Sequence, residues 1–132
     1  MKQLAVLVRS MQFFAHNAHN LASGKTFLED HEFLGDLYET YEGIYDDIVE
    51  RMIGEEGADD IEDVAALAAD MMADEKVKSN DDAFRILLQK ETELRSMVGG
   101  LVRKASDGTQ NMLQGLADDS LRRSYKIGQR LK

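Results

Sequence analysis

The chain has 132 residues, contains no proline and no cysteine, and carries a formal net charge of −9 at neutral pH. This length suits a single domain, residues 1–132, and the absence of cysteine excludes a disulfide framework and fits a reducing cytoplasm. The acidic balance argues against a nucleic-acid surface and favours cations as ligands. No apolar run approaches the roughly 18 residues that a transmembrane helix needs, so we expect no membrane association.

Apolar residues recur every three or four positions along the first half of the chain, which predicts two long helices. The first should end at the Ser23-Gly24-Lys25 break. The second runs from Phe27 to Met52, where Gly54 and Gly57 are expected to end it.

The second half of the chain continues the helical pattern. An alanine-rich stretch, residues 59–73, predicts a short helix within a long connection. Asn80 or Asp81 is expected to cap a third long helix, and Asp107-Gly108 separates that helix from a fourth. We therefore predict an all-α fold, a four-helix bundle with a short extra helix in the connection between helices two and three.

One carboxylate, Glu91, falls within the apolar stripe of the third long helix. A carboxylate in such a position needs a partner, and we expect Arg95 or a tyrosine hydroxyl to supply it. Tyrosines recur at helical spacing on the second helix, at Tyr38, Tyr41 and Tyr45, and we expect them to be core residues.

The three histidines of the chain, His16, His19 and His31, all lie in its first quarter, and two carboxylates, Asp46 and Glu50, follow on the second helix. Imidazole and carboxylate together are ligands for iron, zinc or manganese, so this group predicts a metal site. A lone histidine at a helix end is usually solvated, so His16 is only a possible ligand.

The spacing of these residues bears on how such a site could form. His31 and Asp46 are separated by 15 residues of one predicted helix, or roughly 22 Å at 1.5 Å per residue. One ion cannot bridge that span, because ligand bonds are only about 2 Å long. Two antiparallel copies of the helix, paired about a two-fold axis near Glu39 and Thr40, would place His31 of one copy opposite Asp46 and Glu50 of the other. The metal site is therefore expected between subunits.

Other metal sites of helical bundles are excluded by counting. The usual ferritin-like di-iron site takes a Glu-x-x-His pair from each of two helices, and no histidine follows His31. A hemerythrin-type site would need more histidines than the chain has.

The order and spacing of His19, His31, Asp46 and Glu50 resemble those of the Dps family of mini-ferritins. The segment DHEFLGDLYETYEGIYDDIVERMIG is similar to that family's second helix, and DGTQNMLQGLADDSLRRSYKIGQRL to its fourth. The resemblance implies a ferritin-like four-helix bundle and a hollow shell of twelve subunits. It also implies a ferroxidase that oxidises Fe²⁺ with hydrogen peroxide or oxygen and stores the ferric product, with Asp107 near the pores through which iron enters.

The chain departs from the family pattern at several positions. Gly35 stands where the family usually has an aspartate, so a second iron position should be weaker unless His16 replaces that ligand. Asn20 and Tyr125 stand where tryptophans are common, and the lysine-rich tail of many relatives is not present in this sequence.

Two alternatives to iron oxidation remain open. The first is a DNA-binding nucleoid protector, which the acidic charge and the missing tail oppose and a group of basic residues near the end of the sequence favours: Arg122, Arg123, Lys126, Arg130 and Lys132. The second is a catalytically weak shell that only sequesters metal.

Overall fold

A computed structural model describes residues 1–57 and 61–132, and this part of the chain folds into five α-helices without a β-strand. They are α1 (Lys2–Leu21), α2 (Phe27–Glu56), α3 (Val64–Met72), α4 (Asn80–Val102) and α5 (Asp107–Arg130). The prediction of an all-α fold is confirmed for the described residues. The short helix predicted in the long connection is present as α3, although residues 59 and 60 of the predicted stretch lie outside the described residues.

Glycines lie at both ends of α2, as the sequence predicts, but Gly54 does not end the helix. Gly24 and Gly57 have positive φ angles of 86° and 89°, which non-glycine residues rarely adopt. The backbone N–H of Gly57 donates to the Ile53 carbonyl and ends α2. Gly54, in contrast, lies within α2 and does not stop it, because its φ angle is not positive and the helical hydrogen bonding continues to Glu56.

The start of α4 corrects the predicted cap. Ser79, and neither Asn80 nor Asp81, is the N-cap residue, since its hydroxyl accepts a hydrogen bond from the backbone N–H of Asp82. The Asn80 amide instead donates to the carbonyl of Ser23 and to the carboxylate of Asp30. Asn80 therefore ties the start of α4 to the turn between α1 and α2.

Helix α1 holds the fold together, since it packs against α2, α3 and α4, while α4 also packs against α5. Helices α1 and α2 are antiparallel: Arg9, early in α1, stacks on Tyr45, late in α2, and His19 meets His31 at the other end. The buried apolar residues of all five helices form one core. Within the described residues, none of the helices is long and apolar enough to span a bilayer.

A polar cluster lies in the middle of this core, around the fully buried Glu91. Its carboxylate accepts hydrogen bonds from the Tyr41 hydroxyl at 3.0 Å and from the Ser120 hydroxyl at 2.9 Å, and it forms a two-pronged ion pair with Arg123. Burial and the neighbouring negative charge of Glu91 raise the pKa of Tyr41 well above its ordinary value, so the phenol remains a donor. The cluster links α2, α4 and α5.

The expectation of a tyrosine partner for Glu91 is thus confirmed, and the expectation of Arg95 is wrong. Arg95 donates to the hydroxyls of Ser120 and Ser124 instead. Residues four apart on one helix point along the same face, but the Glu91 carboxylate points inward, where an arginine from the opposing helix α5 reaches it more directly.

Candidate metal centre

The short connection between α1 and α2 brings His19 and His31 into direct contact. The Nδ1 atom of His19 lies 2.6 Å from the His31 carbonyl oxygen, and the Nδ1 atom of His31 lies 2.8 Å from the His19 carbonyl oxygen. The two imidazole rings are stacked, with centroids 3.7 Å apart and an interplanar angle of 19°. Both side chains are half-buried at the outer edge of the α1–α2 seam.

These reciprocal hydrogen bonds assign the protonation of the two rings. A carbonyl oxygen can only accept, so each Nδ1 must carry the hydrogen that it donates. In a neutral imidazole the other nitrogen, Nε2, then keeps its lone pair and can bind a metal ion. A backbone carbonyl is a common partner for the non-ligating nitrogen of a metal-binding histidine, because it fixes both the tautomer and the ring orientation.

The location of His19 explains why its backbone carbonyl is free to accept a hydrogen bond from the His31 ring. His19 lies in the last turn of α1, where backbone carbonyls have no N–H partner within the helix. The Nδ1–H of His31 satisfies this carbonyl from the next helix. The same contact that closes the end of α1 therefore orients His31.

Further aromatic rings extend the stacked pair along the seam. Phe27 stacks on His31 with centroids 5.0 Å apart, and Tyr38 packs edge-on against His19 at 5.3 Å. His16 is exposed and stacks on Tyr38 at 4.1 Å, while its ring centroid is 6.3 Å from that of His19. His16 therefore adjoins the pair through Tyr38 and does not join the stacked contact.

The two predicted carboxylates lie elsewhere on α2. Asp46 and Glu50 are exposed, 15 and 19 residues beyond His31 on the same continuous helix. Glu50 also lines an open groove of about 540 Å³ between α2 and α5, together with Asp47, Arg51 and Glu55, among others. Among residues 1–57 and 61–132 of a single chain, no three side chains of histidine, aspartate or glutamate are grouped so as to hold a metal ion. The structure thus brings two of the four predicted ligands together and leaves the carboxylates apart from them.

Asp107 is the first residue of α5 and is exposed. Beside it, the Glu55 carboxylate accepts hydrogen bonds from the hydroxyls of Thr109 and Ser106, at 2.6 and 2.8 Å. These hydrogen bonds hold the pKa of Glu55 below its usual range. Asp107 and Glu55 therefore form an acidic corner where the end of α2 meets the start of α5.

Sequence reasoning missed Phe27 and the role of Tyr38 in contacting the histidines. Phe27 lies four residues before His31, and residues at that spacing are neighbours on a helix surface, so the contact with His31 could have been proposed from spacing. Of the three tyrosines expected in the core, Tyr41 is fully buried, whereas Tyr38 and Tyr45 are half-buried against the core. Tyr38 contacts His16 and His19 at the seam.

The basic residues near the end of the chain are mostly engaged with carboxylates of the same chain. Arg123 binds Glu91, Arg130 binds Asp30 at 2.7 Å and Asp81 at 2.9 Å, and Arg122 lies 3.0 Å from Asp118. These pairs neutralise much of the positive charge that the sequence offered to DNA.

The chain matches no family model, no curated protein and no solved structure.

Proposed function

We propose that this protein is a ferritin-like four-helix bundle of the Dps type, a cytoplasmic mini-ferritin that oxidises Fe²⁺ with hydrogen peroxide or oxygen. It stores the ferric product inside a hollow shell of twelve copies. The single observation that carries the proposal is the contact between His19 and His31, whose Nδ1 atoms both bond backbone carbonyls and so leave both Nε2 atoms for a metal ion.

The proposed site is completed by a second copy of the chain. When two α2 helices pack antiparallel about an axis near Glu39 and Thr40, the histidine pair of one copy faces Asp46 and Glu50 of the other. The four ligands then come from two subunits, and each dimer has two sites. Imidazole and carboxylate groups bind Fe²⁺ and can leave coordination positions for the oxidant.

Exposed apolar residues on α2 support the same pairing. Leu28 and Ile53 are 74% and 46% exposed, although both are large and apolar. Helical periodicity places them on the same side of α2 as Asp46, and they lie almost equally far from the proposed axis in opposite directions. Under the two-fold, Leu28 of one copy approaches Ile53 of the other, which buries both.

The charge of α2 suits the handling of cationic iron. Ten of its eleven carboxylates are exposed, and its basic residues are only Arg51 and the imidazole of His31. A surface of this kind attracts Fe²⁺ and can hold ferric product. The acidic corner at Asp107 and Glu55 would serve as the entry point if it lines a pore of the shell.

DNA binding is the alternative that the observed ion pairs oppose most directly. Arg122, Arg123 and Arg130 pair with carboxylates within the chain, and the exposed cations of that group are Lys126, Lys132 and the paired Arg122. A metal-sequestering shell without catalysis differs from the proposal only in its rate of iron oxidation.

The decisive experiment compares two adjacent carboxylates of α2. Asp46→Asn should slow the oxidation of Fe²⁺ by peroxide by at least about tenfold, because it removes a proposed iron ligand. Asp47→Asn makes the same chemical change one residue away, on a different side of the helix, and should leave the rate near that of the wild type. Equal rates for the two variants would contradict the site, and no iron oxidation by the wild-type protein would refute the ferroxidase proposal and favour sequestration.

A further inference from the structure

Gly35 lies beside the ring of His19, next to its Cε1 and Nδ1 atoms. A Cβ atom built on Gly35 would stand 3.1 Å from both Cε1 and Nδ1 of the His19 imidazole, which is closer than nine in ten real contacts of a Cβ atom. Gly43, on the same helix, has nothing within 4 Å of such an atom. The tight space at Gly35 is therefore a property of that position and not of α2 as a whole.

The position of Gly35 along α2 explains this closeness. Gly35 follows His31 by four residues, so the backbone around it lies one helical turn beyond the His31 carbonyl that His19 binds. With Nδ1 2.6 Å from that oxygen, the His19 ring packs against α2 at Gly35, with Cε1 and Nδ1 as its nearest atoms. A side chain at position 35 would crowd the ring, which would have to shift by at least a few tenths of an ångström.

We propose that Gly35 is a positioning residue for the candidate metal centre. Its missing side chain admits the His19 imidazole to the surface of α2, where the His31 carbonyl fixes the Nδ1–H tautomer. His19 is thereby held with Nε2 available to a metal ion and with its ring stacked on His31. The arrangement within the chain stands on the observed contacts, while its consequence for iron rests on the proposed function.

The arrangement can be tested on the protein without metal. Substitution Gly35→Val places a branched side chain against the His19 ring, and we expect the ring to move away and lose its bond to the His31 carbonyl. The ¹⁵N NMR spectrum of the ring nitrogens, recorded in mildly alkaline buffer where free imidazole is neutral, reports the tautomer of each histidine. We expect His19 to change from the Nδ1–H form towards the Nε2–H form, which neutral histidine prefers when no partner fixes it.

Two further variants make this test quantitative. Gly43→Val introduces the same residue into the same helix, with the same cost in helix propensity, and should leave the tautomer of His19 unchanged. Gly35→Ala adds only the Cβ atom, so it should produce a smaller change in the same direction and remains informative if the valine variant does not fold. An unchanged His19 tautomer in a folded Gly35→Val protein would overturn the proposal, as would an equal change in Gly43→Val. If only Gly35→Ala folds, unchanged chemical shifts of the His19 ring nitrogens would overturn it.

Iron binding separates this proposal from the proposed function. If both hold, Gly35→Val should weaken Fe²⁺ binding by about 10- to 100-fold, which is the usual effect of disturbing a group that orients a metal ligand. If the tautomer changes as expected but the wild-type protein neither binds nor oxidises Fe²⁺, the positioning role of Gly35 stands and the ferroxidase proposal fails.

Discussion

At the scale of single residues, Glu91 needs hydrogen-bond donors and an opposite charge within the core, because its carboxylate has no exposed surface. Three side chains supply these partners: Tyr41 and Ser120 donate hydrogen bonds, and Arg123 provides the opposite charge. A buried charge is tolerated only when it is paired and hydrogen-bonded. The cluster therefore fixes how α2, α4 and α5 face one another.

The Glu91–Arg123 pair gives a prediction about stability. Arg123→Met keeps much of the apolar stem but leaves Glu91 buried without its counter-charge, which should lower the free energy of unfolding by about 3–5 kcal/mol. Combining it with Glu91→Gln should recover a large part of that loss, because the uncompensated charge is removed. Urea unfolding at neutral pH measures both. As a control, Arg122→Met removes an exposed arginine paired with Asp118 and should cost less than about 1 kcal/mol.

At the scale of helices, the end of α2 that carries the histidine pair is tied to the rest of the fold by Asp30. This carboxylate is 1% exposed and accepts hydrogen bonds from Arg130 on α5, from Asn80 on α4 and from Thr26. Asp30 therefore joins three helices at the end of the molecule where His31 lies. Arg130 also stacks on the ring of Phe84, so this junction rests directly on the core.

The Asp30 junction predicts a dependence of stability on pH. The hydrogen bonds from Arg130 outweigh the opposing effect of burial and hold the pKa of Asp30 below its usual range. A carboxylate whose pKa is lower in the folded state stabilises the protein fully above its unfolded pKa of about 3.9, and that contribution is lost as the pH falls through the folded value.

Asp30→Asn should therefore reduce the free energy of unfolding at pH 6 and flatten its decline below about pH 4. The measurement is urea unfolding at several pH values. The control is Asp36→Asn, which removes an exposed carboxylate from the same helix. It should leave the acid-induced fall in the free energy of unfolding as steep as in the wild type. An equally steep decline in the Asp30→Asn protein would show that other groups control acid stability.

Pairing of α2 helices between copies predicts complementation of two inactive variants. His31→Ala and Asp46→Ala should each abolish fast iron oxidation when assembled alone. In a mixed dimer, one site has both defects and the other has an intact histidine pair and an intact carboxylate. Random mixing should then restore about a quarter of the wild-type rate, since half of the dimers are mixed and half of their sites are complete.

This rescue requires dissociation and reassembly of the mixed subunits, followed by confirmation of mixing by native mass spectrometry. A site formed within one chain could not be rescued, because every chain would carry its own defect. Absence of rescue in oligomers shown to be mixed would therefore contradict a shared site.

At the scale of the whole molecule, a single chain leaves its predicted ligands apart, so the proposed activity depends on assembly. His31, Asp46 and Glu50 lie on one continuous 30-residue helix that cannot fold back on itself, and His19 contacts His31 from α1. Large apolar side chains are exposed on several helices: Leu28 and Ile53 on α2, Leu67 and Met71 on α3, and Leu121 and Tyr125 on α5. A shell would bury such residues at contacts between subunits.

Assembly gives the last prediction. Twelve chains of 14.8 kDa would form a particle of roughly 180 kDa, which light scattering or native mass spectrometry can measure. Leu28→Lys should destabilise the particle, because it places a charge at the proposed two-fold contact. Gln114→Lys adds the same charge at an exposed polar position of α5 and is a control for the change in net charge. A stable monomer that oxidises Fe²⁺ at full rate would contradict the shared site.

The helical class and the approximate location of each helix could be predicted from the amino-acid sequence, because both depend on local periodicity and on glycine. Apolar residues that recur every three or four positions predicted the four long helices, and an alanine-rich stretch predicted the short α3. The position of Glu91 in an apolar stripe predicted that its carboxylate needs a partner. Tertiary structure decided which partners meet. Arg123 and not Arg95 binds Glu91, since the inward direction of the carboxylate depends on how α4 is rotated against α5. The contact between His19 and His31 likewise depends on how closely α1 packs on α2, and the missing side chain of Gly35 permits that contact. Such packing is decided by a few tenths of an ångström, and the spacing of residues along the sequence does not specify it.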